Sequence, residues 1–126
     1  HGGRKSVVRY VKGVTLGCYA NTIEVTPGNI VEGGIWIKTS KDFSGAEAYL
    51  RIEFKSEDNR IIQAVESKKI ISPDESWRLY TVETSTVPQR ATTAVFCLFL
   101  KGKDKNSVGN AWFDDAYMRV KIKGLI

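Results

Sequence analysis

The sequence predicts an all-β fold, a β-sandwich or jelly roll. Three observations predict it. Apolar and polar residues alternate with a period of two in segment after segment, which puts successive side chains on opposite faces of a strand. Turn-forming residues interrupt these segments about every 8–14 residues. No window carries a convincing helical period, and only Ser72-Pro73-Asp74-Glu75 could form a single helical turn.

Taken in order, Thr22–Thr26 alternates and ends at the turn Pro27-Gly28-Asn29. Ile30–Lys38 is a second run, with Ile35 and Ile37 alternating against Trp36 and Lys38. Ser40–Gly45 is polar and turn-rich. Glu47–Lys55 is the clearest strand: Ala48, Leu50, Ile52 and Phe54 mark one face, and Tyr49, Arg51, Glu53 and Lys55 the other. Ser56-Glu57-Asp58-Asn59 reads as a hairpin loop to Ile61–Glu66. Trp77–Thr84 follows the loop at Ser72–Ser76, and Val87-Pro88 breaks it. Thr92–Leu100 is strongly apolar, Gly102–Asn110 is polar, and Ala111–Lys123 closes the chain. The count is about seven or eight strands, which favours a sandwich over a βαβ fold.

The 126 residues make one domain, 1–126, with His1-Gly2-Gly3 read as a remnant outside the fold. The composition is that of a folded globular chain, 42% hydrophobic and 26% charged. No run approaches the roughly 20 apolar residues of a membrane span, so no membrane partner is expected. The net charge of +5 invites a nucleic-acid reading, but the 19 basic residues are spread along the chain among 14 acids. No nucleic-acid partner is expected on that ground. Cys18 and Cys97 are compatible with a bridge or with two buried thiols.

An enzyme is not expected. The single His is residue 1, which removes His-dependent triads and His-rich metal sites. Asp114 and Asp115 are adjacent, so on a regular strand they face opposite sides, which is poor geometry for an acid–base pair.

The residues do suit carbohydrate. A sugar ring stacks its C–H face on an aromatic, and planar polar groups nearby bind its hydroxyls. Tyr49, Arg51 and Glu53 lie in line on one strand face. Trp36 and Lys38 face outward if Ile35 and Ile37 face the core. Trp112 enters the last strand after a polar loop, and Tyr117 shares that strand. Asp114 and Asp115 interrupt an apolar strand, so a buried one needs a partner: Ca²⁺, backbone amides or a cation.

Several segments together resemble a family. Val25-Thr26-Pro27-Gly28-Asn29 with Gly34-Ile35-Trp36-Ile37-Lys38, then Trp77-Arg78-Leu79-Tyr80 with Val87-Pro88, then Trp112-Phe113-Asp114-Asp115-Ala116-Tyr117-Met118, are similar in order and spacing to carbohydrate-binding modules of families four, sixteen and twenty-two. The resemblance implies a galactose-binding-like jelly roll that binds a polysaccharide or oligosaccharide without catalysis. It implies attachment to a catalytic domain of a secreted, extracellular glycoside hydrolase or to a surface protein. It also implies a structural Ca²⁺ held at Asp114, with Asp115 beside it. The chain departs from the family at its start, where Gly3–Val7 resembles the family's second strand and the usual first strand is missing or diverged. A structural or adhesive β-sandwich that mediates protein–protein contacts is the alternative reading, and a binder of anionic polymer, nucleic acid or acidic glycan, the third.

Overall fold

The computed structural model describes residues 7–12 and 16–122, with side chains from Asn21 to Ile122. Eight strands form two antiparallel sheets, and no described residue is helical. They are β1 (Val7–Lys12), β2 (Leu16–Glu24), β3 (Ile30–Thr39), β4 (Ala46–Ser56), β5 (Ile61–Glu66), β6 (Arg78–Thr86), β7 (Ala91–Gly102) and β8 (Val108–Lys121). One sheet has the order β1-β8-β3-β6 and the other β2-β7-β4-β5. No described helix is long and apolar enough to cross a membrane, which leaves β-barrels unaddressed.

Alternation in the sequence becomes inside and outside. On β4, Ala48, Leu50, Ile52 and Phe54 are buried between the sheets. On β3, Val31, Ile35 and Ile37 meet them from the other side. Gly33 belongs to this inner row, where a Cβ would stand 2.7 Å from the Phe96 ring and 3.2 Å from Ile52. Phe96, Leu98 and Leu100 of β7 and Phe113 of β8 complete the core.

Two differences from the sequence expectations have physical reasons. Before Val25 the chain holds two strands, β1 and a long β2, where the pattern marked only Thr22–Thr26. Gly17, Ala20 and Asn21 have weak strand preference, and pairing with β7 from Thr93 to Lys101 overrides it. The likeness of Gly3–Val7 to a second strand falls mostly outside the described residues; β1, which begins at Val7, pairs with β8. Finally, β8 is not regular. Gly34 pairs with Tyr117 and Trp36 with Asp114, so β8 carries one extra residue, with Asp115 in the left-handed region at φ 53°. Asp adopts that region more readily than most residues.

Loops are fixed by backbone and hydroxyl hydrogen bonds. The segment between β5 and β6 is tied to β4 by reciprocal Ala48–Ile70 bonds and to β3 by Thr39. The buried Thr39 hydroxyl donates to the Ser72 carbonyl and accepts from the Asp74 N–H at 2.7 Å. Between β7 and β8, the buried Ser107 hydroxyl donates to the Gly45 carbonyl and accepts from the Lys103 and Asp104 N–H groups.

Gly109 is the tightest point of this framework. Its φ is +124°, and a Cβ would lie 2.6 Å from the Cα of Phe43. Neither the backbone conformation nor the rigid neighbour tolerates a side chain. Gly109→Ala is therefore expected to destabilise the fold by about 2 kcal/mol or more. Urea unfolding measures it, and a loss under about 0.5 kcal/mol would show that this turn is not fixed as described.

Candidate functional site

The predicted ligand residues divide between two opposite outer faces of the sandwich. Tyr49, Arg51 and Glu53 project from β4 on the outside of the β2-β7-β4-β5 sheet. Trp36 and Lys38 of β3 and Trp112 and Tyr117 of β8 lie on the outside of the other sheet. The two groups therefore cannot share one groove.

The β4 group sits in an unusual surface. Outward positions of an antiparallel sheet are normally polar. Here β7 is apolar on both sides. Phe96, Leu98 and Leu100 fill the core, while Val95, Cys97 and Phe99 line the outer face opposite Glu53, Arg51 and Tyr49. Val95 and Cys97 are buried and Phe99 is half-buried. Tyr49 and Phe99 stack, with ring centroids 5.2 Å apart and planes 13° from parallel. Tyr49 is only 6% exposed and Glu53 only 8%, although both point away from the core.

An ionic wall borders this strip. Arg51 Nε is 2.9 Å from Glu53 Oε2 but out of line for a hydrogen bond, and Nη1 makes a long 3.4 Å bond to Glu66 Oε2. Lys69 is 4.9 Å from the Tyr49 ring centre and lies 3.4 Å from Glu47 and 3.6 Å from Glu66. Lys103 binds the other oxygen of Glu47 at 3.2 Å. Burial pushes the Glu47 carboxyl up, but the Lys103 hydrogen bond and the Lys69 and Lys103 charges outweigh it and hold the group below its usual range. Burial, with the Glu66 charge, pushes the Tyr49 phenol up. The Glu47 and Glu66 charges push the Lys69 ammonium up.

Sequence reading reached Tyr49, Arg51 and Glu53 but missed Val95, Cys97, Phe99, Glu47, Glu66 and Lys69. The unbroken apolar run of β7 was the available signal, since a one-sided strand would alternate. Cys97 stands opposite Ala20 and Cys18 opposite Phe99. Those registers make the two cysteines diagonal rather than direct neighbours; the Cys18 side chain lies outside the described residues.

On the other face, all three tryptophans are half-buried. Lys38 Nζ lies 4.9 Å from the Trp77 ring centre and 5.2 Å from that of Trp112. Tyr117 covers Gly34, where a Cβ would be 2.5 Å from its ring. The extra residue at Asp115 brings Tyr117 outward, onto the same face as Trp36. Glu32 pairs with Arg119 and Lys121 farther along this face.

Asp114 is 2% exposed and Asp115 exposed. The expectation that they face opposite sides of a regular strand does not hold at the bulge. Asp114 Oδ1 instead accepts the Asp115 N–H at 2.9 Å. For a Ca²⁺ ion, Asp114 offers one buried carboxylate, but no group of three acidic, His or Cys ligands occurs among the described residues. The protein side chains alone thus fit calcium only in part.

Comparison with known proteins agrees on the fold. No family model matches the sequence. The tRNA nuclease WapA of Bacillus subtilis (strain 168) is 29% identical over 98 residues, which is 77% of this chain and 4% of that protein. The enzymatically active domain of bacteriophage CBA120 tailspike protein 4 superposes with a TM-score of 0.71 at 18% identity, covering 91% of this chain and 15% of that one. A family 61 carbohydrate-binding module in complex with beta-1,4-galactotriose gives a TM-score of 0.60 at 15% identity, covering 94% and 72%. A family 4 module gives 0.63 at 11% identity, covering 96% and 87%. The chain therefore has the β-sandwich fold that carbohydrate-binding modules share, and it spans a small part of the nuclease and of the tailspike chain.

The ionic wall has a pH signature. Glu47, with its carboxyl held below the ordinary 4.5, contributes stability that is present above that value and is lost as pH falls through the folded-state value. Lys69, held above the ordinary 10.5, contributes stability present below that value and lost as pH rises through the folded-state one. The Tm gap between wild type and Glu47→Gln is expected to be largest between those limits and to close in acid. Thermal melts at several pH values measure it, and a gap that persists unchanged at pH 3 would show that Glu47 is not ion-paired.

Proposed function

We propose that this chain is a non-catalytic carbohydrate-binding module of a secreted glycoside hydrolase or surface protein. It holds a polysaccharide or oligosaccharide along the outer face of the β2-β7-β4-β5 sheet. The two-sided apolarity of β7 carries this reading: outward positions of an antiparallel sheet are ordinarily polar, and the apolar row here lies just beneath the Lys69, Arg51 and Glu53 side chains, where a sugar would displace them. The half-buried Phe99 offers ring surface to a sugar C–H face, and the Tyr49 ring stacked on it would join once Lys69 moves aside, over a floor of Val95 and Cys97. Arg51 has donors left over from its ion pairs, and Glu53, Glu66 and Glu47 offer carboxylate acceptors fixed in place by cations. Lys69 caps one face of Tyr49 and would give way to an arriving sugar or bind its hydroxyls. The fold shared with sugar-binding modules supports the same reading.

Affinity-gel electrophoresis against soluble glucans, xylans, mannans, galactans and pectins tests it. Wild type is expected to be retarded by at least one polymer, and Tyr49→Ala to lose affinity about tenfold or more. A wild type that runs unretarded in every gel would overturn the reading.

A structural Ca²⁺ belongs to the same reading. Asp114 would hold it, with backbone carbonyls completing an oxygen shell. EDTA is then expected to lower the Tm of wild type and leave that of Asp114→Asn unchanged. A wild-type Tm indifferent to EDTA would remove calcium from the account.

An adhesive β-sandwich is favoured by one observation, the exposed Ile61 and Ile62 on the edge strand β5. A tight dimer in light scattering, together with failure of every glycan to bind, would select it.

A further inference from the structure

The tryptophan face is not used by the groove proposed above, and its chemistry is different. Trp112, Lys38 and Trp77 lie in one row across β8, β3 and the start of β6, with Trp36 in the next row between the 45%-exposed Leu79 and the buried Asp114, whose carboxylate accepts the Asp115 N–H. The Lys38 ammonium is held between two indoles. It has no salt bridge among the described residues, and unlike the likewise unbridged Lys55 and Lys101 it is fixed by two aromatic rings. A cleft of about 140 Å³ opens at this row, lined by Lys38, Thr39, Ser40, Lys41, Glu75 and Trp112. It thus brings together a second cation, a polar rim and a half-buried indole.

We propose that this face is a second binding site, distinct from the β4–β7 groove, for a uronic-acid-containing polysaccharide. The C–H face of a uronate ring stacks on Trp112, and its carboxylate pairs with Lys38, with Lys41 alongside. A cation already fixed by two rings loses little freedom when it binds an anion. Glu75 lines the same cleft without a salt bridge to Lys38 or Lys41 and accepts from the sugar hydroxyls. The hydroxyls of Thr39 and Ser40 are spent inside the protein, on Ser72 and Asp42, and hold the cleft's shape. A nucleic acid fits less well. Its phosphates need a row of cations, and beyond Lys38 this face turns to the paired charges of Glu32, Glu83, Arg119 and Lys121.

Tryptophan fluorescence titration with oligogalacturonate, in low and high salt, is the test, because all three tryptophans report on this face. Binding is expected to perturb the emission, weaken with salt, fall about tenfold in Lys38→Met and survive in Lys38→Arg. Lys38→Met keeps the apolar stem, and a thermal melt checks that it folds. Tyr49→Ala is expected to leave uronate binding unchanged, so failure of the neutral-sugar groove and failure of this site are separable. Absence of uronate binding, its loss in Tyr49→Ala but not in Lys38→Met, or stronger binding of tRNA than of uronate through Lys38 would each overturn the proposal.

Discussion

Everything described depends on the register of β4 against β7. Their pairing runs from Ala46–Gly102 to Lys55–Thr93 before a one-residue shift. It sets Leu50 beside Leu98 and Ile52 beside Phe96 on the inside. The same register sets Tyr49 beside Phe99, Arg51 beside Cys97 and Glu53 beside Val95 on the outside. Core and candidate groove are thus two sides of one ladder. A slip of one residue would bury Arg51 and Glu53 without partners and expose the leucines. The stability of the interior therefore also positions the surface.

The two outer faces differ in how they satisfy charge. Around Tyr49 the cations and carboxylates are interlocked, and Glu47 alone takes two lysines. Such a network fixes the orientation of polar groups more than it stabilises the fold, since partly exposed pairs contribute about 1 kcal/mol or less each. Around Trp112 the one half-buried cation is held by rings instead of acids. A ring attracts a cation without cancelling its charge, so Lys38 keeps a positive field at the surface.

Much of this was legible in the sequence. Clean alternation in Glu47–Lys55 places Tyr49, Arg51 and Glu53 outward, and Ile35 and Ile37 do the same for Trp36 and Lys38. What local pattern could not supply was which strands share a sheet. Tyr49 and Trp112 both read as outward aromatics, and only the long-range pairing puts them on opposite sides. Phe99 was hidden because a strand apolar on both faces has no phase to read. Lys69 comes from a loop whose path is set by the Ala48–Ile70 bonds, a contact with no local signature. Tyr117 was read on the right strand, but its facing depends on a bulge that the Asp-Asp pair does not announce.

That bulge also fixes the length of β8. Before Asp115, even-numbered residues such as Trp112 and Asp114 face out; after it, odd-numbered ones such as Tyr117 and Arg119 do. Deleting one residue there would restore an unbroken zigzag and swing the guanidinium of Arg119 into the hydrocarbon interior while ejecting Met118. The segment from Trp112 to Lys121 should consequently tolerate changes of side chain far better than changes of chain length. Insertions and deletions in related sequences should fall in the 103–107 loop instead.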